Sequence, residues 1–142
     1  MKPPTTAVIV AAEFNRALVD VMIASASDEL AQCQVELLRV VRVPGSYELP
    51  LSVGAALSLP QVALVVVLGY IERGETLHGE VMGHVVHKAL LELSLSHGKP
   101  LGLGIIGPGA TAEQAEKRKQ AYARAAVRAA VASLAALEAI RS

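Results

Sequence analysis

Short unbroken apolar runs alternate with longer stretches of helical spacing four times along the chain. Ala7–Ala12 is the first run, brief and rich in β-branched residues, as expected of a strand covered on both faces. Asn15, a favourable N-cap, then opens a helical stretch to about Gln32. Val35–Val43 reads as a second strand, stopped by Pro44 and Gly45, and a short helix follows over about Tyr47–Leu57, ended by Pro60. Val62–Leu68 is the plainest strand of the four. A polar loop leads from it into a helix over about His78–Ser96, stopped by Gly98, Lys99 and Pro100. Leu101–Ile106 is the fourth strand, Gly107, Pro108 and Gly109 make a turn, and Thr111 caps a long helix to about Ile140. Strands alternating with helices predict an α/β sandwich on a parallel sheet with right-handed crossovers. No repeat, linker or low-complexity segment interrupts it, so residues 1–142 are read as one domain.

Composition sharpens this. Apolar residues make up 53% of the chain but aromatic ones only 3%, with no Trp, so the core must be built from Val, Leu, Ile and Ala. Mean hydropathy is positive and charged residues are few. Either the helices are simply Ala-rich, or some apolar surface is buried against other subunits. In the last helix, Val127, Val131, Leu134 and Leu137 form a stripe suited to core or subunit packing, with Arg124 and Arg128 on another face. A formal net charge of zero gives no reason to expect a nucleic-acid or anionic-membrane partner. Cys33 is the single cysteine and cannot form an internal disulfide, which fits a reducing compartment. The start, Met1–Thr6, is polar and carries no export signal, and the longest apolar stretch, Val62–Gly69, falls far short of the roughly 20 residues that span a bilayer. The expectation is a soluble, cytoplasmic protein.

In parallel sheets of this kind, ligands bind beyond the carboxyl ends of the strands. Strand one ends in Phe14 and Asn15, and Phe14 is the only phenylalanine: a core residue, or a platform for a flat heterocycle. Strand two leads to Ser46, Tyr47 and Glu48, which either cap the short helix or bind a polyol. Strand three leads to Tyr70, Ile71, Glu72, Arg73, Gly74, Glu75, Thr76 and His78. There Gly74 lets an anion approach the backbone, the following helix start offers free amides to a phosphate, and His78 can move a proton near neutral pH. After strand four, Lys117, Arg118 and Lys119 form a basic cluster, either solvated or facing an anionic ligand. Metal binding is not expected. His84 and His87 lie about 240° and 180° around the helix from His78, and no zinc spacing, Walker loop or dinucleotide fingerprint is present.

Taken together, Phe14-Asn15, Val43-Pro44-Gly45-Ser46-Tyr47-Glu48-Leu49-Pro50, Gly74-Glu75-Thr76-Leu77-His78 and Gln114-Ala115 with Arg118 resemble the loops of the lumazine synthase family, in order and with compatible spacing over about residues 7–130. The resemblance implies a flavodoxin-like three-layer αβα sandwich with a four-stranded parallel sheet in the order 2-1-3-4. It implies a cofactor-independent transferase of riboflavin biosynthesis. That enzyme condenses 5-amino-6-(D-ribitylamino)uracil with 3,4-dihydroxy-2-butanone 4-phosphate to give 6,7-dimethyl-8-ribityllumazine. In the family's terms Phe14, with Asn15 beside it, stacks on the pyrimidine, Ser46, Tyr47 and Glu48 bind it with its ribityl chain, and the backbone of Tyr70, Ile71 and Glu72 lines its edge. Gly74, Glu75 and Thr76 take the butanone phosphate, with Arg118 as cationic partner, and His78 transfers protons. The family's site lies between subunits, with Leu103 at a position that reaches in from the neighbour. The assembly is a pentamer, alone, stacked into decamers or closed into an icosahedral shell, and leaves room for a riboflavin synthase partner.

Departures point to a divergent branch. Glu72 stands where many members are apolar, Gly79 replaces a common aromatic, and Leu103 replaces a common Phe. The Gly107–Gly109 turn makes the stretch from Leu103 to Arg118 look one residue longer than usual, and the short start lacks the extra strand many members lend to a neighbour. Two rivals stay open: a riboflavin synthase on the same fold, which needs no phosphate site, and a non-catalytic shell or flavin-binding module.

Overall fold

A computed structural model describes residues 2–142; Met1, the first residue of the polar start, lies outside the described residues. The elements run β1 (Thr6–Ala12), α1 (Arg16–Gln32), β2 (Glu36–Val43), a single 3-10 turn (Ser46–Glu48) leading into α2 (Leu49–Leu57), β3 (Leu64–Glu72), α3 (His78–His97), β4 (Leu101–Ala110) and α4 (Ala112–Arg141). Every strand pairing is parallel and the order across the sheet is β2-β1-β3-β4. This is the flavodoxin-like arrangement the chain's resemblance implies.

The pleat divides the side chains between two layers of helix. Ala7, Ile9 and Ala11 of β1 and Leu64, Val66, Leu68 and Tyr70 of β3 pack under α1 and α4. Their alternates, Val8, Val10, Val65, Val67 and Ile71, pack under α2 and α3. Both central strands are therefore buried on both faces, which is why their sequences read as continuous apolar runs. Each fully buried Val, Leu or Ile contributes about 1.5–3 kcal/mol of transfer free energy, and Tyr70 is the one aromatic among the buried core residues described.

Alanine in α4 has a specific use. A Cβ on Gly102 of β4 would lie 2.3 Å from the Ala126 carbonyl oxygen, so strand and helix approach almost backbone to backbone. The expected stripe is shifted accordingly. Val127 is buried and Val131 and Leu134 flank the core, but Ala123, Ala126 and Ala130 make the close layer. Arg124, on the other face as expected, reaches across to Asp28 (2.8 Å) and Glu29 (3.3 Å) of α1, and Arg128 meets Glu29 at 3.4 Å.

Five boundaries differ from the pattern's expectation. Asn15 does not cap α1 with its side chain; it sits in the left-handed region (φ 60°, ψ 62°), where a short polar side chain is tolerated, and turns the chain out of β1. The helix expected from Tyr47 begins as a 3-10 turn and becomes α-helical at Leu49, and neither Ser46 nor Glu48 makes a side-chain cap. The third strand begins at Leu64 rather than Val62, and Gly69–Glu72 and Gly107–Ala110 are strand rather than loop and turn. The last two extensions pair with each other. Between Tyr70↔Ile106 and Glu72↔Ala110, β4 advances four residues (106 to 110) where β3 advances two (70 to 72). That bulge sets Gly107–Gly109 against α3, where a Cβ on Gly83 would fall 2.7 Å from Pro108 Cδ. Thr111 does cap α4, in a reciprocal capping box with Gln114. No described helix is long and apolar enough to cross a membrane.

Candidate active site

The carboxyl ends of β1, β2 and β3 open on one edge of the sheet and, with the start of α3, surround a cleft of about 490 Å3. β1 contributes Phe14, and the segment after β2 contributes Pro44, Gly45, Ser46 and Glu48. Tyr70, Ile71 and Glu72 at the end of β3 form a wall, Arg73, Gly74 and Thr76 a rim, and His78, Gly79 and Met82 the helical side. Nine of the residues singled out from sequence therefore share one cavity: Phe14, Ser46, Glu48, Tyr70, Ile71, Glu72, Gly74, Thr76 and His78.

Phe14 is 53% exposed and belongs to neither core cluster, which removes its reading as a core residue. Ser46 is 5% exposed and lines the cleft from below. Tyr70 turns its ring the other way, into the α1–α4 core, where its hydroxyl donates to the Ala110 carbonyl at 3.0 Å. Burial, and secondarily the charge of Glu72, push that phenol above its ordinary value. Ile71 likewise buries its side chain, under α2 and α3. Both thus offer the cleft mainly backbone, whereas Glu72 is exposed at its mouth. Tyr47 does not line the cleft but stands edge-on to His78, ring centroids 6.2 Å apart.

A second cleft, of about 530 Å3, adjoins the first and shares Glu72, Arg73, Gly74, Thr76 and Gly79 with it. It adds Glu75, Leu77, Glu80, His84, Pro108 and Gly109. The loop between the clefts is fixed at both ends. The Arg73 amide donates to the Ala110 carbonyl at 3.0 Å, and the His78 amide donates to Thr76 Oγ1 at 3.3 Å. The first bond of α3's own ladder runs from the Val81 amide to the Leu77 carbonyl (2.9 Å), so the amides of Gly79 and Glu80 are not used by the helix. With the dipole of a 20-residue helix behind them, they form a ready anion site. His84 lies 3.9 Å from Glu80, and His87 is bonded to the Gly83 carbonyl at 2.7 Å. Among the described residues no group of three or more His, Cys, Asp or Glu side chains could hold a metal ion.

Four candidates stand apart from both clefts of their own chain, Tyr47 beside His78 among them. Asn15 occupies the turn after Phe14. Leu103 lies on β4, an edge strand, and packs on the α2–α3 core. Arg118 is exposed on α4 between two lysines that are already paired, Lys117 with Glu113 at 3.5 Å and Lys119 with Glu116. Arg118 itself has no ion-pair partner among the described residues. Sequence reasoning left Met82 out of the site. Its signal was the four-residue spacing from His78, which puts both on one side of α3.

A family model described as 6,7-dimethyl-8-ribityllumazine synthase matches residues 5–140, a span that includes every loop around the two clefts. The chain belongs to this family. It is similar to the 6,7-dimethyl-8-ribityllumazine synthase of Metallosphaera sedula, with 43% identity over 123 residues, 87% of this chain and 82% of the relative. The enzyme of that name from Staphylothermus marinus is 41% identical over 121 residues, 85% of this chain and 81% of its own length. That of Aeropyrum pernix is 42% identical over 124 residues, 87% and 84% of the two chains.

Proposed function

We propose that residues 1–142 act as a single lumazine synthase domain. It condenses 5-amino-6-(D-ribitylamino)uracil with 3,4-dihydroxy-2-butanone 4-phosphate in riboflavin biosynthesis. The observation that carries this reading is the convergence of Phe14, Ser46, Glu48, the β3 end, Gly74, Thr76 and His78 on one cleft, in a chain of that family.

The exposed Phe14 ring stacks on the flat pyrimidine, while Ser46 and Glu48 bond the ribityl hydroxyls. Backbone groups of Tyr70–Glu72 meet the pyrimidine edge, with Asn15 and Tyr47 as flanking contacts. The Gly74–Thr76 loop and the free amides of α3 receive the phosphate. The 5-amino group attacks the ketone and, with loss of water, forms an imine. Elimination then expels phosphate, leaving an enol that becomes a carbonyl. The ribitylamino nitrogen closes the second ring on it with loss of another water. The substrate supplies the nucleophile, so the chemistry asks for no cofactor and no activated Ser, Cys or Lys. The protein aligns two substrates, stabilises the departing phosphate and moves protons through His78.

Leu103 and Arg118 reach a cleft only from a neighbouring copy, which makes the active unit a homo-oligomer: a pentamer or a multiple of it, up to a closed shell. In support, the α2–α3 surface leaves Leu51 85% and Leu95 83% exposed, more apolar surface than a monomer needs to show. The same reading places the protein in the cytoplasm, with riboflavin synthase as a candidate partner.

The test is to supply both substrates and follow lumazine fluorescence alongside inorganic phosphate. The two should rise in equal amounts. Supplied with lumazine alone, a riboflavin synthase would instead form riboflavin without phosphate release, and no turnover of either kind would mark a non-catalytic scaffold.

A further inference from the structure

The cleft beside the Gly74–Thr76 loop is lined by three carboxylates, Glu72, Glu75 and Glu80. That is a poor setting for a phosphate dianion unless cations answer it. Among the described residues, Arg73 is the only Lys or Arg that lines either strand-end cleft, and it lines both. His84, the histidine of the acidic cleft, stands beside Glu80 at 3.9 Å.

Arg73 is also positioned and free. Its amide is tied to the Ala110 carbonyl at 3.0 Å, which fixes where the side chain begins. Its guanidinium forms no ion pair among the described residues despite the carboxylates that line the same cleft. A residue with a planar, permanently charged fork, lining the same cleft as Gly79 and Glu80 with their unused amides, suits bidentate contact with phosphate oxygens.

We propose that Arg73 binds the phosphate of the ketose phosphate from within the same chain and determines affinity for that substrate. This rests on reading the Gly74–Thr76 loop as the phosphate site. The contact persists from bound substrate through departure of the phosphate, so it acts on KM rather than kcat. The site is open to water, so added salt weakens the contact.

The test compares Arg73→Ala and Arg73→Lys with the unmodified full chain. In steady state, Arg73→Ala should raise KM for the butanone phosphate, and the inhibition constant of inorganic phosphate, about tenfold or more. The pyrimidine KM, kcat and melting temperature should stay near their starting values, and Arg73→Lys should recover part of the loss. KM for the phosphate substrate should rise with salt in the unmodified enzyme and respond less in Arg73→Ala. Unchanged KM and inhibition constant in Arg73→Ala would overturn the proposal, and so would a loss shared equally by both substrates with a lowered melting temperature. Calorimetric titration with inorganic phosphate needs no turnover. If the unmodified protein makes no lumazine, the functional reading fails, while weaker phosphate binding by Arg73→Ala still supports Arg73 and equal binding overturns it.

Discussion

The ring of Tyr47 meets the imidazole of His78 edge to face, with centroids 6.2 Å apart and planes inclined at 64°. The contact joins the 3-10 turn after β2 to the first residue of α3, so it ties together two loops that reach the site from different strands. No side-chain hydrogen bond joins the two residues, so the contact between them is that of the rings alone.

If Tyr47 orients His78 through its ring, Tyr47→Ala should lower kcat by about 2–10-fold, the equivalent of one aromatic pair. Tyr47→Phe should stay close to the starting value. Steady-state rates with both substrates saturating make the comparison. Equal losses in the two variants would move the role from the ring to the hydroxyl.

A second expectation concerns Arg118 and His78. A proton-transfer group accelerates its step by about 10²–10⁴-fold where it applies, but water and substrate groups can substitute in part. Arg73 holds the phosphate equally before and during its departure, so the charge that develops as the phosphate leaves falls to Arg118. Arg118→Ala should therefore cost more activity than His78→Ala. Because Arg118 lines neither cleft of its own chain, co-assembling the two inactive variants should restore about a quarter of the sites, those that draw both intact residues from different copies. No recovery on mixing, with assembly confirmed by light scattering, would place both residues in one chain's site.

The alternation of apolar runs with helices carried the architecture, because strands buried on both faces must read that way. The site was legible to the extent that its chemistry lies at strand ends. Phe14 follows β1, Ser46 and Glu48 follow β2 and His78 follows β3, so the order of strands alone brings them to one edge of the sheet. What the pattern concealed was register. Gly69–Glu72 carries a glycine, a tyrosine and a glutamate and reads as a loop, yet it is strand because Tyr70 and Glu72 find partners in Ile106 and Ala110. Pairing of that kind is set by a residue 36 or more positions away and leaves no local periodicity. Asn15 takes the N-cap position of α1 but makes no side-chain cap, for the complementary reason. The same short polar side chain suits a cap and a left-handed turn, and only the exit angle of β1 decides between them.

Tyr70 gives the molecule a weakness on the alkaline side. Burial raises its phenol above the ordinary value of 10.0, so the folded state holds this proton more tightly than the unfolded chain does. The stability it contributes is complete below pH 10 and is lost as pH rises from there through the folded-state value. Tyr70→Phe should lose the bond to the Ala110 carbonyl, about 0.5–1.5 kcal/mol at neutral pH. It should also unfold with a flatter dependence on pH above 10. Parallel slopes for the two proteins in urea titrations across that range would show that Tyr70 does not carry the effect.

Gly83 links the bulge to the site, and its substitution sets two known effects against each other. Alanine in a helix interior gains about 0.5–1 kcal/mol over glycine from backbone entropy. Here the added Cβ would fall 2.7 Å from Pro108 Cδ and 2.8 Å from Cγ, atoms of a ring set in strand β4 rather than the end of a flexible chain. Overpacking of that sort costs about 1–3 kcal/mol, so the clash should win and Gly83→Ala should be less stable by about 1–2 kcal/mol. Relief must come from movement of Pro108 and Gly109, which wall the acidic cleft, so KM for the butanone phosphate should change more than KM for the pyrimidine. Urea midpoints and the two KM values measure this directly. A more stable Gly83→Ala with both constants unaltered would mean that the bulge moves aside freely and does not shape the cleft.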